Sequence, residues 1–424
     1  MNGAAIRIVE VMAMHRKRCE SVVALWREGD SAGAESELAS LCRELPPQQG
    51  RQVTEFLAGV AALQPIAHAK LSCPNATDAT DTTRVWWATD KSLQQATPWQ
   101  VARIKAGWFG TDAVFDLCCG IGGDAIQLAA RGAVTAVDLN PLIAAIAGAN
   151  LSRAAAGGSD VSAQCDNVTT MALPRLASIH LDPDRRVGET RRSDPNQFEP
   201  AWDQVTKLIA SSSAAVVKLA PASRLPAGGL PSTEFHRCWI SLSGSVREQS
   251  LLWGTALHRA NLTRGEKSAL VLRSDGTASW FAPDRQAATT AAAPFDGTPA
   301  VLVDPNPAVR AAHLTEGFAN EYGLGLLGEP SGFLAGDDGL IDSLHSLRPL
   351  AIAAVVKWWG SCDDRKLRKT FRGLNVFPQT AKVRGTDHDP AVLVKRYRRC
   401  GEHPVTLWIG RQGKRAFAAI TDVL

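Results

Sequence analysis

The chain has 424 residues, 45% of them hydrophobic and 21% charged, with a formal net charge of +4. That is ordinary soluble globular composition, which excludes disordered, collagen-like and fibrous classes and is long enough for two to three domains. No run of 18 uncharged apolar residues occurs, so no transmembrane helix and no membrane association are expected.

The first residues, Met1 to Arg18, are mixed and helix-like, without the apolar core of a secretory signal. Apolar positions recur at helical spacing in Val11–Val23, Val53–Leu63 and Val101–Trp108, broken by Pro46, Pro47 and the polar run Ser72–Thr83. Residues 1–110 therefore read as a helical N-terminal domain. It contains two tryptophan-rich or polar stretches of note, Val85 to Asp90 (VWWATD) and Leu93 to Thr97 (LQQAT).

From Ala113 the pattern alternates. Strands are predicted at Ala113–Cys118, Val134–Asp138, Val161–Cys165, Ala177–Leu181 and Ala214–Leu219, with helices at Asp124–Ala130 and Pro141–Arg153. Such alternation implies a parallel sheet with right-handed crossovers. Val246–Trp253 and Ser268–Arg273 read as two further strands, paired antiparallel at one sheet edge. Arg285–Pro299, rich in Ala, Thr, Gly and Pro, reads as a linker, and residues 300–350 as turn-rich connecting chain. A small α+β unit follows, with strand Ala353–Trp358, helix Asp364–Arg372, strand Gln379–Arg384, helix Pro390–Arg398, and strands Val405–Ile409 and Ala416–Ile420.

Charge is unevenly spread. Residues 351–424 carry 15 Lys/Arg against 6 Asp/Glu, a net of +9, which leaves the first 350 at −5. A basic module on a mildly acidic body points to an anionic partner, nucleic acid first. The nine cysteines are scattered and form no C-x-x-C pair, which fits a reducing cytoplasm better than a disulfide framework or a zinc site. The nine histidines show no metal-ligand spacing either.

The segment Val114 to Asp124 (VFDLCCGIGGD) is an apolar strand, an acid, and a glycine-rich turn opening a helix. Glycine allows close backbone approach to a ligand. The spacing lacks the third glycine of a nicotinamide fingerprint. Asp116, four residues before Gly120, instead matches S-adenosylmethionine sites, where it would hold the methionine amino group. Asp138 ends the second strand, 18 residues after Gly120, where an acid accepts bonds from ribose hydroxyls; capping the helix at Pro141 is its competing role. Asp166, after the third strand, stands where an adenine amino group would be read, or is an exposed turn residue.

The fourth strand ends in Asp182, Pro183, Asp184, Arg185 and Arg186. Ligands of open α/β sheets bind beyond the carboxyl ends of strands, so Asp182 and Pro183 would face a transferred methyl and orient the acceptor by alignment. Arg185 and Arg186 are candidates for a substrate phosphate or carboxylate, or for salt bridges to Asp184 or Glu189. Cys118 and Cys119, at the buried end of a strand, are not read as nucleophiles. Trp86, Trp87, Trp358 and Trp359 either stack bases or pack cores.

Together these residues resemble the class I S-adenosylmethionine-dependent methyltransferases. More narrowly the chain is similar to bacterial members with a C-terminal THUMP-like, ferredoxin-like domain. Asp182–Arg186 resembles that family's D-P-A-R-R, Val303–Val309 its E-P-[ND]-x-A-[VI], Leu367 through Pro390 its L-R-x…K-K-R-G-x-D-x-D-P, and Leu93–Thr97 its L-E-Q-A-T. The resemblance implies a helical N-terminal domain, a Rossmann-like seven-stranded sheet, here over residues 111–284, and a small THUMP-like module, here over 351–424, with the linker and connecting chain read from composition over 285–350 between them. It implies S-adenosylmethionine contacts at Asp116, Cys118, Gly120, Gly122, Gly123, Asp138, Leu139, Asp166 and Thr97, with catalysis by Asp182, Pro183 and Arg185 and no metal. It also implies RNA binding, with Lys366, Arg368, Lys369, Lys382 and Arg384 gripping phosphates. Two departures narrow the chemistry. Asp184 and Arg185 replace the second proline and the aromatic that stack a flipped base in exocyclic-amine enzymes. Lys218 to Pro221 (KLAP) stands where 5-methyluridine enzymes need a cysteine. The expected function is methylation of a base in structured RNA. The alternatives are a small-molecule or protein methyltransferase, or a non-catalytic RNA-binding protein.

Overall fold

A computed structural model describes residues 3–73, 84–154, 160–187, 190–226, 230–231, 233–328 and 332–423. Most of the expected polar break Ser72–Thr83 lies outside them. The chain divides into two compact units: Met1–Arg237 with Glu248–Gly265 and Ser274–Gly276, and Cys238–Arg247 with Glu266–Arg273 and Thr277–Leu424.

The first unit opens on three helices, α1 (Gly3–Glu28), α2 (Ser31–Arg43) and α3 (Pro47–Leu71). Asp30 caps α2 by accepting from the Gly33 amide, and Pro47 starts α3 where no N–H is required. Short helices α4 (Asp90–Gln95) and α5 (Trp99–Gly107) lead to the sheet. Residue 110 is not a boundary between compact units. Val22, Leu41, Leu57 and Val60 of the first helices share one core with Trp86 and Trp87 and with Ile121, Ile126 and Ile146 beyond that point. Two side-chain amides pin the tryptophan segment. Gln64 accepts from the Trp86 amide at 2.9 Å and donates to its carbonyl at 2.8 Å, and Asn150 does the same for Trp87 at 2.9 and 3.0 Å. Trp87 is fully buried and stacks on Phe56 at 6.1 Å. This pair packs a core and offers no platform to a base.

The sheet begins with β1 (Val114–Leu117), β2 (Val134–Asp138), β3 (Val161–Cys165) and β4 (Ser178–Leu181); a two-stranded ribbon, β5 (Arg186–Val187) with β6 (Thr190–Arg191), precedes β7 (Ala214–Leu219). β1, β2, β3, β4 and β7 pair in parallel, crossed over by α6 (Gly123–Ala129), α7 (Pro141–Ala154) and α8 (Trp202–Ala210). β8 (His236–Leu242) and β9 (Ser245–Gly254) are joined by Ser243 and Gly244, both at positive φ (51° and 78°), the geometry of a hairpin turn that follows strand twist. β9 runs antiparallel to β7; α9 (Thr255–Arg259), β10 (Lys267–Leu272) and β11 (Ala278–Phe281) follow. The strand order β11-β10-β8-β9-β7-β4-β1-β2-β3 has nine strands rather than the expected seven. β8 separates the two strands that were expected to pair. Its sequence hides it: six of its seven residues are buried, so no polar alternation marks it.

The second unit corrects two expectations. Residues 285–350 are not a linker. They form α10 (Arg285–Thr289), β12 (Val301–Pro305), α11 (Pro307–Ala311), α12 (Thr315–Glu321), β13 (Gly325–Leu327) and β14 (Phe333–Gly336). β15 (Ala351–Ser361), α13 (Asp364–Gly373), β16 (Val376–Val383), α14 (Pro390–Tyr397), β17 (His403–Gln412) and β18 (Arg415–Thr421) complete the unit. The seven strands β12 to β18 make one sheet, β13-β14-β12-β15-β18-β17-β16. β12 is buried on both faces: Val301 and Val303 join a core with Leu314 and Phe318, while Leu302 joins one with Phe333, Trp408 and Phe417. The last six elements run β-α-β-α-β-β with β16 parallel to β17, not the β-α-β-β-α-β of a ferredoxin-like fold. Trp359 stacks on Phe417 at 4.3 Å and so belongs to this core too. Asp304, 6% exposed, holds Lys382 at 3.0 Å and Arg384 at 3.2 Å, which takes both away from the phosphate-gripping set.

Among the described residues, no helix is long and apolar enough to cross a membrane.

Candidate active site

The chain leaves β1 through a tight turn in which Cys118, Gly120 and Gly122 have φ of 57°, 56° and 87°. Glycine adopts this left-handed region freely; Cys118 does so against its own Cβ, a strain that only firm surroundings hold. A Cβ on Gly120 would meet nothing within 4 Å, so its backbone faces open space. A Cβ on Gly123 would come within 2.9 Å of the Thr97 nitrogen and 3.0 Å of its oxygen, so glycine there is what lets the Ala96–Thr97 segment lie against the turn.

Asp138, at the end of β2, accepts from the Gly120 amide at 3.1 Å and the Asn140 amide at 2.9 Å. Burial raises its pKa, and these two bonds oppose the rise. Leu139 beside it is 61% exposed. The Asp166 amide donates to the Asp138 carbonyl at 3.2 Å, and its own exposed carboxylate accepts from Asn167 at 2.7 Å. The ends of β1, β2 and β3 thus bring Gly120, Asp138, Leu139 and Asp166 to one rim.

Behind the turn lies a continuous chain of buried charge. Asp116 accepts from His180 Nδ1 at 2.6 Å, both residues being 1% exposed. His180 Nε2 lies 3.3 Å from Lys105 Nζ. Lys105 pairs with Asp124 at 2.8 Å and Glu248 at 3.1 Å. The Thr97 hydroxyl donates to Asp124 at 2.6 Å and accepts from Lys218 Nζ at 3.0 Å. Lys218 ends the chain on Asp182 Oδ2 at 2.6 Å. Burial raises the Asp116 pKa, only partly relieved by His180. Burial acts on Asp124 the same way, but Lys105, His180 and Lys218 overcome it and hold that carboxyl below the usual range. His180 is raised: the Asp124 and Asp116 carboxylates outweigh burial, which works against its charge. Burial pushes the Cys118 and Cys119 thiols well up, which disfavours the thiolates a nucleophile needs.

At the end of β4 the Asp182 amide donates to the Leu117 carbonyl at 3.1 Å, which sets Asp182 beside the β1 turn. Pro183 is buried. Asp184 pairs through its backbone with Glu199, and Arg185 follows, half-buried, its side chain without a hydrogen bond or ion pair among the described residues. Glu189, one alternative partner, lies outside those residues.

No family model matches the chain. It is 30% identical over 338 residues to an uncharacterized S-adenosylmethionine-dependent methyltransferase of Mycobacterium tuberculosis, in each of two strains; the match covers 79% of this chain and 87% of the relative. The chain belongs to the S-adenosylmethionine-dependent methyltransferases. A crystal structure of a Porphyromonas gingivalis protein assigned as a methyltransferase shares the α/β fold over 89% of this chain and 90% of its own, with a TM-score of 0.66 at 17% identity.

This methyltransferase uses S-adenosylmethionine, and its residues fit that cofactor. Asp116 Oδ2 is buried and has no hydrogen-bond partner among the described residues, a costly state unless a donor reaches it. The space over Gly120 is open. Four carboxylates (Asp116, Asp124, Asp182 and Glu248) face Lys105, Lys218 and His180, so acids are in excess in either protonation state of the imidazole. A site of that sign suits a cation.

Sequence reading did not single out Lys105, His180, Lys218 or Glu248. The available signal was an ionisable residue inside a run with no way to face water. β4 (SIHL) and β7 (AAVVKL) are buried at every position, and Lys105 stands among buried Val101, Ala102 and Ala106. Such a residue implies a buried partner.

Proposed function

We propose that this methyltransferase modifies a base in structured RNA, in the cytoplasm. The observation that carries the reading is a basic helix pair in the second unit. α13 and α14 pack through Phe371 on Tyr397 at 5.0 Å and through the Tyr397 hydroxyl, which donates to Asp364 at 2.8 Å. Arg365, Lys366, Lys369 and Arg372 of α13 are exposed around that contact, as are Lys395 and Arg399 in and just after α14. Arg368 and Arg396 are turned onto Asp364 at 3.0 and 3.6 Å, and Arg398 lies over the Phe377 ring at 3.9 Å. A cluster of this kind suits a phosphodiester backbone. The module is read as THUMP-like on its sequence resemblance, although its strand connection differs from the ferredoxin-like one.

The order β3-β2-β1-β4-β7-β9-β8 supports the seven-stranded class I arrangement, with β10 and β11 as additions. On this reading Asp116 Oδ2 takes the cofactor's ammonium. Asp138, which accepts one bond on each oxygen and keeps a lone pair on each, takes the ribose hydroxyls. Leu139 lies against the adenine, Asp166 reads its amino group, and Cys118, Gly120, Gly122, Gly123 and Thr97 shape the turn. The bound cofactor supplies an electrophilic methyl group. Asp182 and Pro183 orient the acceptor atom toward it, and Arg185 holds a substrate phosphate.

The test is transfer of label from S-adenosylmethionine into total RNA from a strain lacking the protein, beside an RNase-treated lysate. Label in RNA supports the reading. Label only in the treated lysate moves the substrate to a protein or small molecule. Binding of the cofactor with no label in either sample favours a non-catalytic role.

A further inference from the structure

Lys218 stands one residue past the parallel pair Leu181–Val217, so it and Asp182 leave adjacent strands at the same level. Its Nζ is 2.6 Å from Asp182 Oδ2 and 3.0 Å from the Thr97 hydroxyl, which is itself fixed on Asp124 at 2.6 Å. The pair is one-sided. The Lys218 side chain is 7% exposed and that of Asp182 26%. The lysine sits behind the carboxylate and acts on a ligand through it. A lysine in an otherwise apolar, fully buried strand carries a heavy desolvation cost, and a brace between two strands already hydrogen-bonded in register does not require one.

We propose that Lys218 is a positioning residue that fixes Asp182 beside the cofactor's sulfur and offsets its charge, and thereby sets how strongly the site prefers the methylated cofactor over its demethylated product. The inference rests on the reading that Asp182 faces the methyl group. S-adenosylmethionine carries a sulfonium cation at that sulfur and S-adenosylhomocysteine a neutral thioether, so net charge beside the sulfur weights the ratio of their affinities. A bare carboxylate would hold the cationic form tightly, and tight binding of the ground state does not accelerate transfer. A carboxylate shared with Lys218 keeps its orientation while presenting less charge. Thr97 prevents the lysine from swinging away.

The experiment is calorimetric titration of the full chain with S-adenosylmethionine and S-adenosylhomocysteine separately, which needs no acceptor substrate. The quantity read is the ratio of the two dissociation constants. Lys218→Met is expected to shift it about tenfold toward the sulfonium form, and Asp182→Asn about tenfold toward the thioether. Lys218→Arg should restore the wild-type preference. The double variant, with both charges gone, should return close to wild type, since removing both partners of a buried pair is far milder than removing one. If Lys218→Met does not fold, the double variant against Asp182→Asn reads the same lysine charge and should again shift about tenfold toward the sulfonium form. A ratio that moves in Asp182→Asn but ignores the lysine overturns the proposal and leaves Asp182 beside the methyl. A ratio that ignores both overturns the placement of Asp182, and the proposal with it.

Discussion

Lys105→Met removes one charge and nearly preserves side-chain volume. Lys105 is 1% exposed and serves Asp124 at 2.8 Å and Glu248 at 3.1 Å. Removing one partner of a buried pair costs about 3–5 kcal/mol; here one ammonium serves two carboxylates, so a loss of about 5 kcal/mol is expected. At roughly 2 °C per kcal/mol for a cooperative unit as large as the one that holds Lys105, Tm should fall by about 10 °C. The pH dependence is the sharper readout. In the wild type Lys105 helps hold the Asp124 carboxyl below its ordinary range, so that stabilisation is present above the unfolded carboxylate pKa and is lost only as pH falls through the depressed folded value. Without Lys105 only His180 and Lys218 still oppose burial at Asp124, and its folded pKa rises toward the unfolded one. The variant therefore lacks stabilisation that the wild type gains as pH climbs from the depressed folded value toward the unfolded carboxylate pKa of about 4. Urea unfolding of both proteins at several pH values measures the gap, which should widen with pH. A loss under about 1 kcal/mol, the worth of an exposed pair, or a gap that stays flat with pH, would refute the view of Lys105 as the neutralising centre of the buried chain.

Asp138→Ala should weaken S-adenosylmethionine binding by on the order of 2 kcal/mol, through the ribose bonds and through the Gly120 amide it now holds; an unchanged dissociation constant by calorimetry would remove it from the cofactor site. Trp87→Ala removes a fully buried indole from the core shared by α1–α3 and the helices of the sheet, at about 3–5 kcal/mol by urea unfolding. A cost near zero would mean that core is not continuous. Reversing Arg365 and Lys369 to glutamate should lower RNA affinity and flatten its salt dependence by about one logarithmic unit for each phosphate no longer neutralised, and a slope equal to wild type would exclude α13 as an RNA-binding surface.

The parallel strands and the glycine turn were legible because their signals are local: an apolar run, an acid, and glycines at positions that prove left-handed. The places of Asp138 at the end of β2 and of Asp182 just after β4 were legible for the same reason. The buried charged residues behind the turn were not. His180, Lys218 and Glu248 come from three different strands and Lys105 from a helix, and only the tertiary structure joins them into one buried chain. The misreading of residues 285–350 has a different origin. Ala/Thr/Gly/Pro-rich composition before Val301 resembles a linker, and the five-residue β12 is too short to show a period, yet it is buried at every position. Lys382 and Arg384 looked like surface cations because their counter-ion, Asp304, lies some eighty positions away in sequence.

The pairing of β12 with β15 bears on how this chain can be recombined. Asp304 stands opposite Ile352 across the point where a C-terminal module had been expected to begin. A chimera joined near residue 350 would part these strands, leaving on one fragment a fully buried strand with a bare edge and an acid, Asp304, that keeps only Arg310 at 3.8 Å, and on the other two stranded cations. Open apolar edges template aggregation. The smallest exchangeable cassette in this half of the gene therefore includes the residues before 350, and grafts of the basic helices α13 and α14 onto another enzyme should carry β12 with them.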